Sequence, residues 1–153
     1  MCIRDRIQDY PVLDLEGGVT REEAFEVIAQ ALSDQIGYPS AGVLKLLTDR
    51  ETLSSTVVRP GLAIPHLIFE GLESFQIMLV RSKEGVIFSE DAPPVHIVFV
   101  IAANPEERNF YLRALVAIAE IAQDPGFDDR WLATGGPEAL REVVLSAERR
   151  RDK

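Results

Sequence analysis

The stretch Val95-His96-Ile97-Val98-Phe99-Val100-Ile101 is the part of this chain that says most about its fold class. Its residues are almost all apolar, instead of alternating between apolar and polar. A near-continuous apolar run of this length is typical of a strand that is covered on both faces, as in a sheet with helices on either side. We therefore expect this stretch to form a central strand.

A helix start follows this strand. Asn104 is a favourable cap, Pro105 suits the first turn, and Glu107 places an acid near the positive end of the helix dipole. The spacing predicts a helix to about residue 123, which Pro125-Gly126 ends. The apolar positions at helical spacing that we expect to be buried are Leu112, Leu115, Ala119 and Ala122.

The remainder of the C-terminal part is predicted to hold one more helix. A short turn that contains Trp131 leads past Gly135-Gly136-Pro137 to a helix from residue 138 to about residue 147. The basic residues that follow it, Arg149-Arg150-Arg151, are interpreted as a solvated helix end, where cations suit the dipole.

Two helices are predicted before the central strand. Thr20 and Glu23 form a capping box that starts the first helix, and Gly37 ends it after residue 36. Its expected buried face is Phe25, Ile28, Ala29 and Leu32. Ser40 is expected to cap a second helix, over residues 41 to about 53, with the apolar stripe Val43, Leu46 and Leu47.

Shorter apolar stretches predict further strands. Residues 75–80 are interpreted as a strand, residues 82–85 as a polar turn, and residues 86–88 as short and apolar. The alternation of Tyr10, Val12 and Leu13 to Leu15 allows another short strand. The order of elements predicts an α/β or α+β fold, a mixed β-sheet flanked by helices.

Composition limits the kinds of partner. The chain has 153 residues, 46% of them apolar and 27% charged, with a net charge of −9. An acidic chain is a poor ligand for nucleic acid or an anionic membrane surface, and suits a basic protein partner. No apolar stretch reaches the roughly 20 residues that span a bilayer, the N-terminus has no signal-peptide pattern, and Cys2 has no second cysteine for a disulfide. We expect a soluble, cytoplasm-facing domain.

His66 is the strongest candidate for a functional side chain. It follows Pro65, which stiffens the backbone before it, and Arg50 precedes it in the chain. Imidazole titrates in the physiological range, so it can act as nucleophile, base or switch. On spacing alone, a single histidine after a proline is more often a structural or surface residue, and pairing with Asp49 or Glu51 is an alternative role for Arg50.

Metal binding is not expected, because no third ligand is spaced to help the two histidines. His96, the second histidine, is interpreted as a residue of the central strand near an end of the sheet. No cofactor is expected.

A set of separated motifs resembles the fructose/mannitol-type (type-2) enzyme IIA domains of the bacterial phosphoenolpyruvate:sugar phosphotransferase system. The motifs are Arg50-Glu51, Ser55-Thr56, Gly61-Leu62-Ala63-Ile64-Pro65-His66, the strand over residues 94–100, and the helix with Tyr111-Leu112 and Leu115. The resemblance covers about residues 20–147 and implies the IIA fold there. Residues 1–19 are then a lead-in or linker, with 1–6 interpreted as foreign or as the stub of a longer chain, and residues 148–153 a charged tail.

The resemblance implies a phosphoryl relay. His66 would accept a phosphoryl group from the histidine phosphocarrier protein and pass it to a IIB domain or a regulated target. Arg50 would pair with phosphate oxygens. Thr56 or Ser55 would supply a hydroxyl donor, and Gly61 would let the backbone approach closely.

Two positions depart from the family pattern. Tyr111 stands where the family usually has a second histidine, and it can donate a hydrogen bond but cannot serve as a cation near pH 7. Leu67 replaces a small or polar residue that is common in active members. The resemblance thus implies binding at this site, and leaves open whether the chain is an active phosphotransferase.

A second interpretation is a non-catalytic, IIA-like regulatory or sensor domain at the cytoplasmic end of a membrane transporter, such as an antiporter, a permease or a chloride channel. Tyr111, Leu67 and the abrupt N-terminus favour it, whereas the intact Arg50 and His66 favour the carrier. An interaction domain without a ligand is a third, weaker possibility.

Overall fold

A mixed sheet of seven strands forms the middle of the protein, in a computed structural model that describes residues 7, 11–73 and 75–151. The strands in chain order are β1 (Val12–Leu15), β2 (Val19–Thr20), β3 (Val57–Arg59), β4 (Leu62–Ala63), β5 (His66–Ile68), β6 (Gln76–Ile87) and β7 (Val95–Ala103). The helices are α1 (Arg21–Ile36), α2 (Ser40–Leu53), α3 (Arg108–Ile121), α4 (Phe127–Ala133) and α5 (Pro137–Arg151), with a 3-10 turn at Pro105–Glu107 before α3. None of the helices in these residues is both long and apolar enough to cross a membrane.

β7 lies at the centre of the sheet, as its apolar run predicts. The strand order is β1-β6-β7-β4-β3, with β2 pairing further along β6 and β5 further along β7. β6 and β7 are antiparallel, whereas β4 and β5 run parallel to β7. The predicted mixed sheet with flanking helices is therefore confirmed.

Successive side chains of β7 enter two separate cores, because side chains alternate between the faces of a strand. Ile97, Phe99 and Ile101 belong to the core beneath α3, α4 and α5. Val98 and Val100 belong to the core beneath α1 and α2. Helices on both faces explain why the β7 sequence shows no polar alternation.

The start and end of α1 follow from local interactions. Thr20 and Glu23 make both hydrogen bonds of the predicted capping box, and Gly37 ends the helix in a left-handed conformation (φ 77°). The predicted buried face is confirmed in full. The predicted cap of α2 is wrong: Ser40 is its first residue, and Pro39 occupies the cap position without a side-chain hydrogen bond.

The predicted polar turn at residues 82–85 is wrong, because these residues lie inside β6. The register with β7 shifts between Arg81 and Val86, so the extra polar residues are accommodated as an irregularity in a continuous strand. Gly85 has φ 105°, and a Cβ added there would lie 2.3 Å from the Cβ of Pro94. Glycine is thus needed where β6 passes beside Pro94, in the segment before β7.

The predicted start of α3 is confirmed, and its predicted buried face is correct in part, because Ala122 is buried and Leu115 packs against the core. Asn104 accepts hydrogen bonds from the amides of Glu106 and Glu107. Leu112, however, is 46% exposed, and the side chains of α3 that are buried are Tyr111, Ala114, Ala117, Ile118 and Ile121. The helix is apolar on most of its circumference, so the spacing of apolar residues is compatible with burial of several different faces. Packing against the sheet determines which face is buried.

The region around Trp131 is a helix, α4, and not the predicted turn. Trp131 is fully buried, stacks between Phe99 and Phe127, and donates a hydrogen bond to the carbonyl of His96 at 2.9 Å. The last helix, α5, runs to Arg151, beyond the predicted end near residue 147. Its terminal arginines pair with acids.

A buried arginine joins β1 to the rest of the sheet. Arg81 in β6 is 1% exposed and donates to both carboxylate oxygens of Asp14, with Nε 2.9 Å from Oδ1. Its other donors reach the carbonyls of Trp131, Thr134 and Gly135. β1 confirms the predicted short strand over Val12–Leu15, and Tyr10 lies outside the described residues. The strand is held in place by a satisfied charge as well as by its pairing with β6.

Candidate functional site

His66 is the first residue of β5 and is held by the sheet. It pairs in parallel with Ile101 of β7, and the Ile101 amide donates to the Pro65 carbonyl at 2.9 Å. One residue earlier, the Ile64 amide donates to the Thr56 carbonyl at 2.9 Å. The half-buried imidazole is thus presented from a rigid backbone close to the end of β7 from which α3 begins.

Hydrogen bonds identify the protonated nitrogen of the imidazole. Nδ1 of His66 is 2.6 Å from the Ile64 carbonyl oxygen, and Nε2 is 2.9 Å from Nη2 of Arg50. A carbonyl oxygen only accepts, so Nδ1 carries the hydrogen, and a guanidinium only donates, so Nε2 offers its lone pair. The neutral ring is therefore fixed with Nε2 as its nucleophilic atom.

The surroundings of His66 favour this neutral form. Burial lowers the pKa of His66, the hydrogen bond to Ile64 works against that change, the charge of Arg50 lowers the pKa further, and the charge of Glu51 raises it. The net direction is downward from the ordinary value. At neutral pH the ring is therefore ready to act as a nucleophile.

Arg50 lies in the last turn of α2 and connects two groups. Nη1 donates to the Ser54 carbonyl at 2.9 Å while Nη2 points at His66. The alternative pairing with its sequence neighbours does not occur: Asp49 pairs with Lys45 at 2.8 Å, and Glu51 accepts from Thr56. One arm of the guanidinium is thus anchored, and the other lies where a phosphoryl group on Nε2 would sit.

Tyr111 is also beside His66. The two ring centroids are 5.6 Å apart in an edge-to-face arrangement, and Tyr111 is 6% exposed. Burial raises the pKa of Tyr111, partly offset by the charges of Arg50 and Arg108. The phenol is therefore neutral at pH 7, a hydrogen-bond donor and not a cation.

Thr56 does not offer a free hydroxyl to His66. Thr56 is 2% exposed; its hydroxyl donates to Oε1 of Glu51 at 2.5 Å and its amide to Oε2 at 2.9 Å. Ser55 is exposed, and its hydroxyl oxygen accepts from the Val57 amide at 3.1 Å. The hydroxyl hydrogen that the resemblance assigns to a phosphate is, at Thr56, committed to a carboxylate.

Gly61 lies away from the imidazole. It makes the tight turn between β3 and β4 with φ 85°, and its carbonyl accepts from the amide of Ile97 at 3.1 Å. His66 pairs with Ile101. These two positions on β7 are separated by about 13 Å at ~3.3 Å per residue. Gly61 therefore shapes the hairpin and does not line the site.

Two other residues from the sequence analysis also point elsewhere. Leu67 is buried in the core beneath α1 and α2. Its side chain therefore does not take up space beside the imidazole of His66. His96 lies near the start of β7 as predicted, with Nδ1 2.9 Å from the Ser82 carbonyl. The residue that sequence reasoning left without a site role is Glu51, although it stands inside the Arg50-Glu51 motif.

Comparison with known proteins agrees with this geometry. A profile of the family described as "Phosphoenolpyruvate-dependent sugar phosphotransferase system, EIIA 2" matches residues 12–147, which includes β1. The chain is 31% identical over 117 residues to the "PTS system fructose-specific EIIABC component" of Bacillus subtilis. That alignment covers 76% of this chain and 18% of that protein, so the chain spans under a fifth of that relative's length.

Solved structures share the fold. The nitrogen regulatory protein IIA-Ntr from Neisseria meningitidis is 25% identical, with a TM-score of 0.81 over 93% of this chain and 98% of that chain. Enzyme IIAMtl of Escherichia coli, solved in complex with phosphorylated enzyme IIBMtl, is 20% identical, with a TM-score of 0.69 over 89% of this chain and 94% of that chain. The IIA-like fold that the motifs imply is thus confirmed.

Proposed function

This chain belongs to the EIIA type-2 family of the phosphoenolpyruvate-dependent sugar phosphotransferase system, and from this premise we propose that it carries a phosphoryl group on Nε2 of His66. The group comes from the histidine phosphocarrier protein and goes to a IIB domain or a regulated protein. The observation that carries this proposal is the fixed tautomer, in which Nδ1 donates to Ile64 and the Nε2 lone pair meets Arg50. Both exchanges take place in the cytoplasm.

The transfer is an in-line displacement. The Nε2 lone pair of His66 forms the new N–P bond while the N–P bond of the donor phosphohistidine breaks, and its electron pair returns to the donor imidazole. The positive charge that develops on the ring of His66 is stabilised by the Nδ1–H hydrogen bond to Ile64. In the second step a nucleophile of the recipient attacks the same phosphorus, and His66 regains its lone pair.

Arg50 changes partner during this cycle. In the free protein Nη2 of Arg50 lies 2.9 Å from Nε2 of His66 and donates a hydrogen bond to the Nε2 lone pair. This is the lone pair that must attack the phosphorus. Nη2 therefore has to turn from Nε2 to the phosphoryl oxygens as the donor arrives, while Nη1 stays on Ser54. Nη2 then donates to a phosphoryl oxygen, and the guanidinium charge stabilises the equatorial oxygens, where most of the catalytic stabilisation of phosphoryl transfer is needed.

Tyr111 supplies a neutral donor beside the phosphoryl group. Its edge-to-face packing on His66 brings the phenol to the same side of the sheet as the imidazole. A hydroxyl can donate one hydrogen bond to a phosphoryl oxygen without adding charge. This residue therefore supports the phosphohistidine less strongly than a second, protonated histidine would.

Reconstituted phosphorylation tests the proposal. The chain is incubated with phosphoenolpyruvate, enzyme I and the histidine phosphocarrier protein, and its intact mass is measured. We expect a gain of one phosphoryl group that His66→Gln abolishes and His96→Gln, the matched control at the second histidine, retains. Correctly folded protein that takes no phosphate, or takes it in His66→Gln, would refute the carrier function.

The regulatory interpretation remains a second candidate. The likeness to a nitrogen regulatory protein extends over 98% of that chain, which favours a role in which a partner responds to the state of the site. In this case a transporter or another regulated protein binds the domain, and no IIB domain receives the phosphate. A phosphohistidine that persists when IIB domains of the sugar systems are added would support this candidate over the relay.

A further inference from the structure

Three hydrogen-bonded contacts, linked through the backbone of Thr56 and Ile64, join a buried carboxylate to the imidazole of His66. Glu51, in the last turn of α2, is 7% exposed and accepts from the amide and the hydroxyl of Thr56 at 2.9 and 2.5 Å. The Thr56 carbonyl accepts from the Ile64 amide at 2.9 Å. The Ile64 carbonyl in turn accepts from Nδ1 of His66 at 2.6 Å.

We propose that Glu51 is a positioning residue: through Thr56 and Ile64 it fixes Nδ1 as the protonated nitrogen of His66 and keeps the Nε2 lone pair directed at Arg50. The proposal rests on the phosphocarrier function proposed above and deepens it. Glu51 itself contacts neither the donor nor the phosphoryl group. It acts through the segment that carries the imidazole.

The path transmits position and not a proton. It crosses the Cα atoms of Thr56 and Ile64, because each residue accepts through one peptide group and donates through the other. A shift of Thr56 therefore moves the backbone at Ile64 and with it the acceptor of Nδ1. Carboxylates behind the ring nitrogen of a metal-ligating histidine orient the imidazole in a comparable way.

The charge of Glu51 adds a direct electrostatic effect. It raises the pKa of His66 and favours the positive ring that forms on phosphorylation, whereas Arg50 on the same helix acts in the opposite direction. From α3, Tyr111 contacts the imidazole as a neutral group, and the charge of Arg108 reaches Tyr111. Removing the charge of Glu51 alone leaves these other groups in place.

Glu51→Gln removes the carboxylate that accepts from both donors of Thr56. Glutamine has the same shape, but its single acceptor oxygen serves only one of these donors, so the charged pair of hydrogen bonds that holds Thr56 is lost. Nitrogen NMR of the imidazole over a pH titration reports the tautomer and the pKa of His66. We expect one tautomer in the wild type, and in Glu51→Gln a lower pKa of His66 and a mixture of tautomers.

The rate of phosphorylation by the phosphorylated carrier protein is the second measurement. We expect Glu51→Gln to slow phosphorylation by roughly 10- to 100-fold. This is the range typical for the loss of a residue that orients a metal-ligating side chain without touching the metal itself. Glu26→Gln removes the same charge from the exposed face of α1 and serves as control, with a rate within about twofold of wild type. A folded Glu51→Gln with the wild-type tautomer and pKa, or with the control's rate, would overturn the proposal.

Substitutions of Thr56 keep the test decisive if circular dichroism shows Glu51→Gln to be unfolded. Thr56→Val removes the hydroxyl donor at nearly constant volume, and Thr56→Ser retains it. We expect slow phosphorylation in the valine variant and rescue in the serine variant. Equal rates in the two variants would overturn the proposal.

The two proposals fail in different ways. The NMR titration needs no phosphate donor, so it reports on Glu51 even if the wild-type chain takes no phosphate. In that outcome the carrier function is refuted. The positioning role of Glu51 is then judged separately, from the His66 tautomer in the wild type and in Glu51→Gln. Normal phosphorylation of the wild type with an unaltered Glu51→Gln variant refutes the positioning role alone.

Discussion

Replacing Arg50 with lysine tests whether the site needs a planar guanidinium or only a positive charge. In the structure one terminal nitrogen of Arg50 lies 2.9 Å from the Ser54 carbonyl and the other lies 2.9 Å from Nε2 of His66. Lysine has a single nitrogen on a flexible stem, so it cannot hold the loop and a phosphoryl oxygen at the same time.

The expected loss follows from the hydrogen bond that lysine cannot make. A hydrogen bond to a charged group contributes about 1.5 to 3 kcal/mol. If one such bond is lost in the transition state, at about 1.4 kcal/mol for each factor of ten, phosphorylation of His66 slows by about 10- to 150-fold. Arg50→Ala loses both bonds and the charge, so we expect it to be slower than Arg50→Lys.

Single-turnover kinetics provide the assay. Phosphorylated carrier protein is mixed with excess chain, and the phosphohistidine is followed by rapid quenching and intact mass. Arg21→Lys is the matched control, because Arg21 stands at the start of α1 and pairs with the neighbouring Glu22. Circular dichroism and thermal unfolding check that each variant keeps its fold.

The reasoning is refuted by a particular pattern of rates. If Arg50→Lys reacts within about threefold of wild type while Arg50→Ala is slow, charge alone is sufficient, and the fork of the guanidinium has no role. If both variants react like the Arg21→Lys control, Arg50 is a structural residue of the α2 end.

Three further outcomes are expected. Tyr111→Phe keeps the ring packing but loses a neutral donor of about 0.5 to 1.5 kcal/mol, so His66 should be phosphorylated roughly 2- to 10-fold more slowly; an unchanged single-turnover rate would show that the hydroxyl does not reach the phosphoryl group. Because burial lowers the pKa of His66, NMR titration should find its ring half-protonated only below the ordinary pH of about 6.5, and a midpoint above that value would contradict the described environment. Asp14→Asn leaves the buried Arg81 without its anion, so urea denaturation at pH 7 should show a loss of about 3 kcal/mol of unfolding free energy; a loss below about 1 kcal/mol would refute the importance of the pair. Since the hydrogen bond from Arg81 lowers the pKa of Asp14 in the folded state, this contribution should be complete above the unfolded pKa and disappear as pH falls through the folded one, and Asp14→Asn should lack that dependence.

Local signals in the sequence were sufficient for both ends of α1 and for the start of the turn before α3. Thr20 and Glu23 are three residues apart, Gly37 directly follows α1, and Asn104 caps the turn before α3. Each of these devices involves a few neighbouring residues, so it forms whatever the rest of the chain does. Ser40 shows the limit of this reasoning. It is a favourable cap residue, but the helix begins at Ser40 itself, so the cap position is Pro39.

Long-range packing decided what spacing left ambiguous. α3 is apolar on most of its surface, and only its contact with the sheet buries Ile118 and exposes Leu112. The polar residues 82–85 have the composition of a turn, but pairing with β7 on both sides keeps them within a strand. In both cases the deciding partner is distant in sequence.

The same division holds at the site. The motif around Arg50 and His66 was enough to predict that these two side chains act together, because a family resemblance carries a spatial arrangement with it. It did not reveal the direction of Thr56, whose hydroxyl faces Glu51, or the distance of Gly61 from the imidazole.

By itself, then, the sequence determined the central strand, most helix ends, the family and the pair Arg50 and His66, because these depend on short spacings and on matching residue types. The tertiary structure alone decided which nitrogen of His66 carries the lone pair. It also decided which carboxylate is linked to the imidazole through Thr56 and Ile64. Those features require the end of α2, the start of β5 and the Thr56–Ile64 hydrogen bond to meet in space. The spacing of residues within one segment does not determine how three separate segments contact one another.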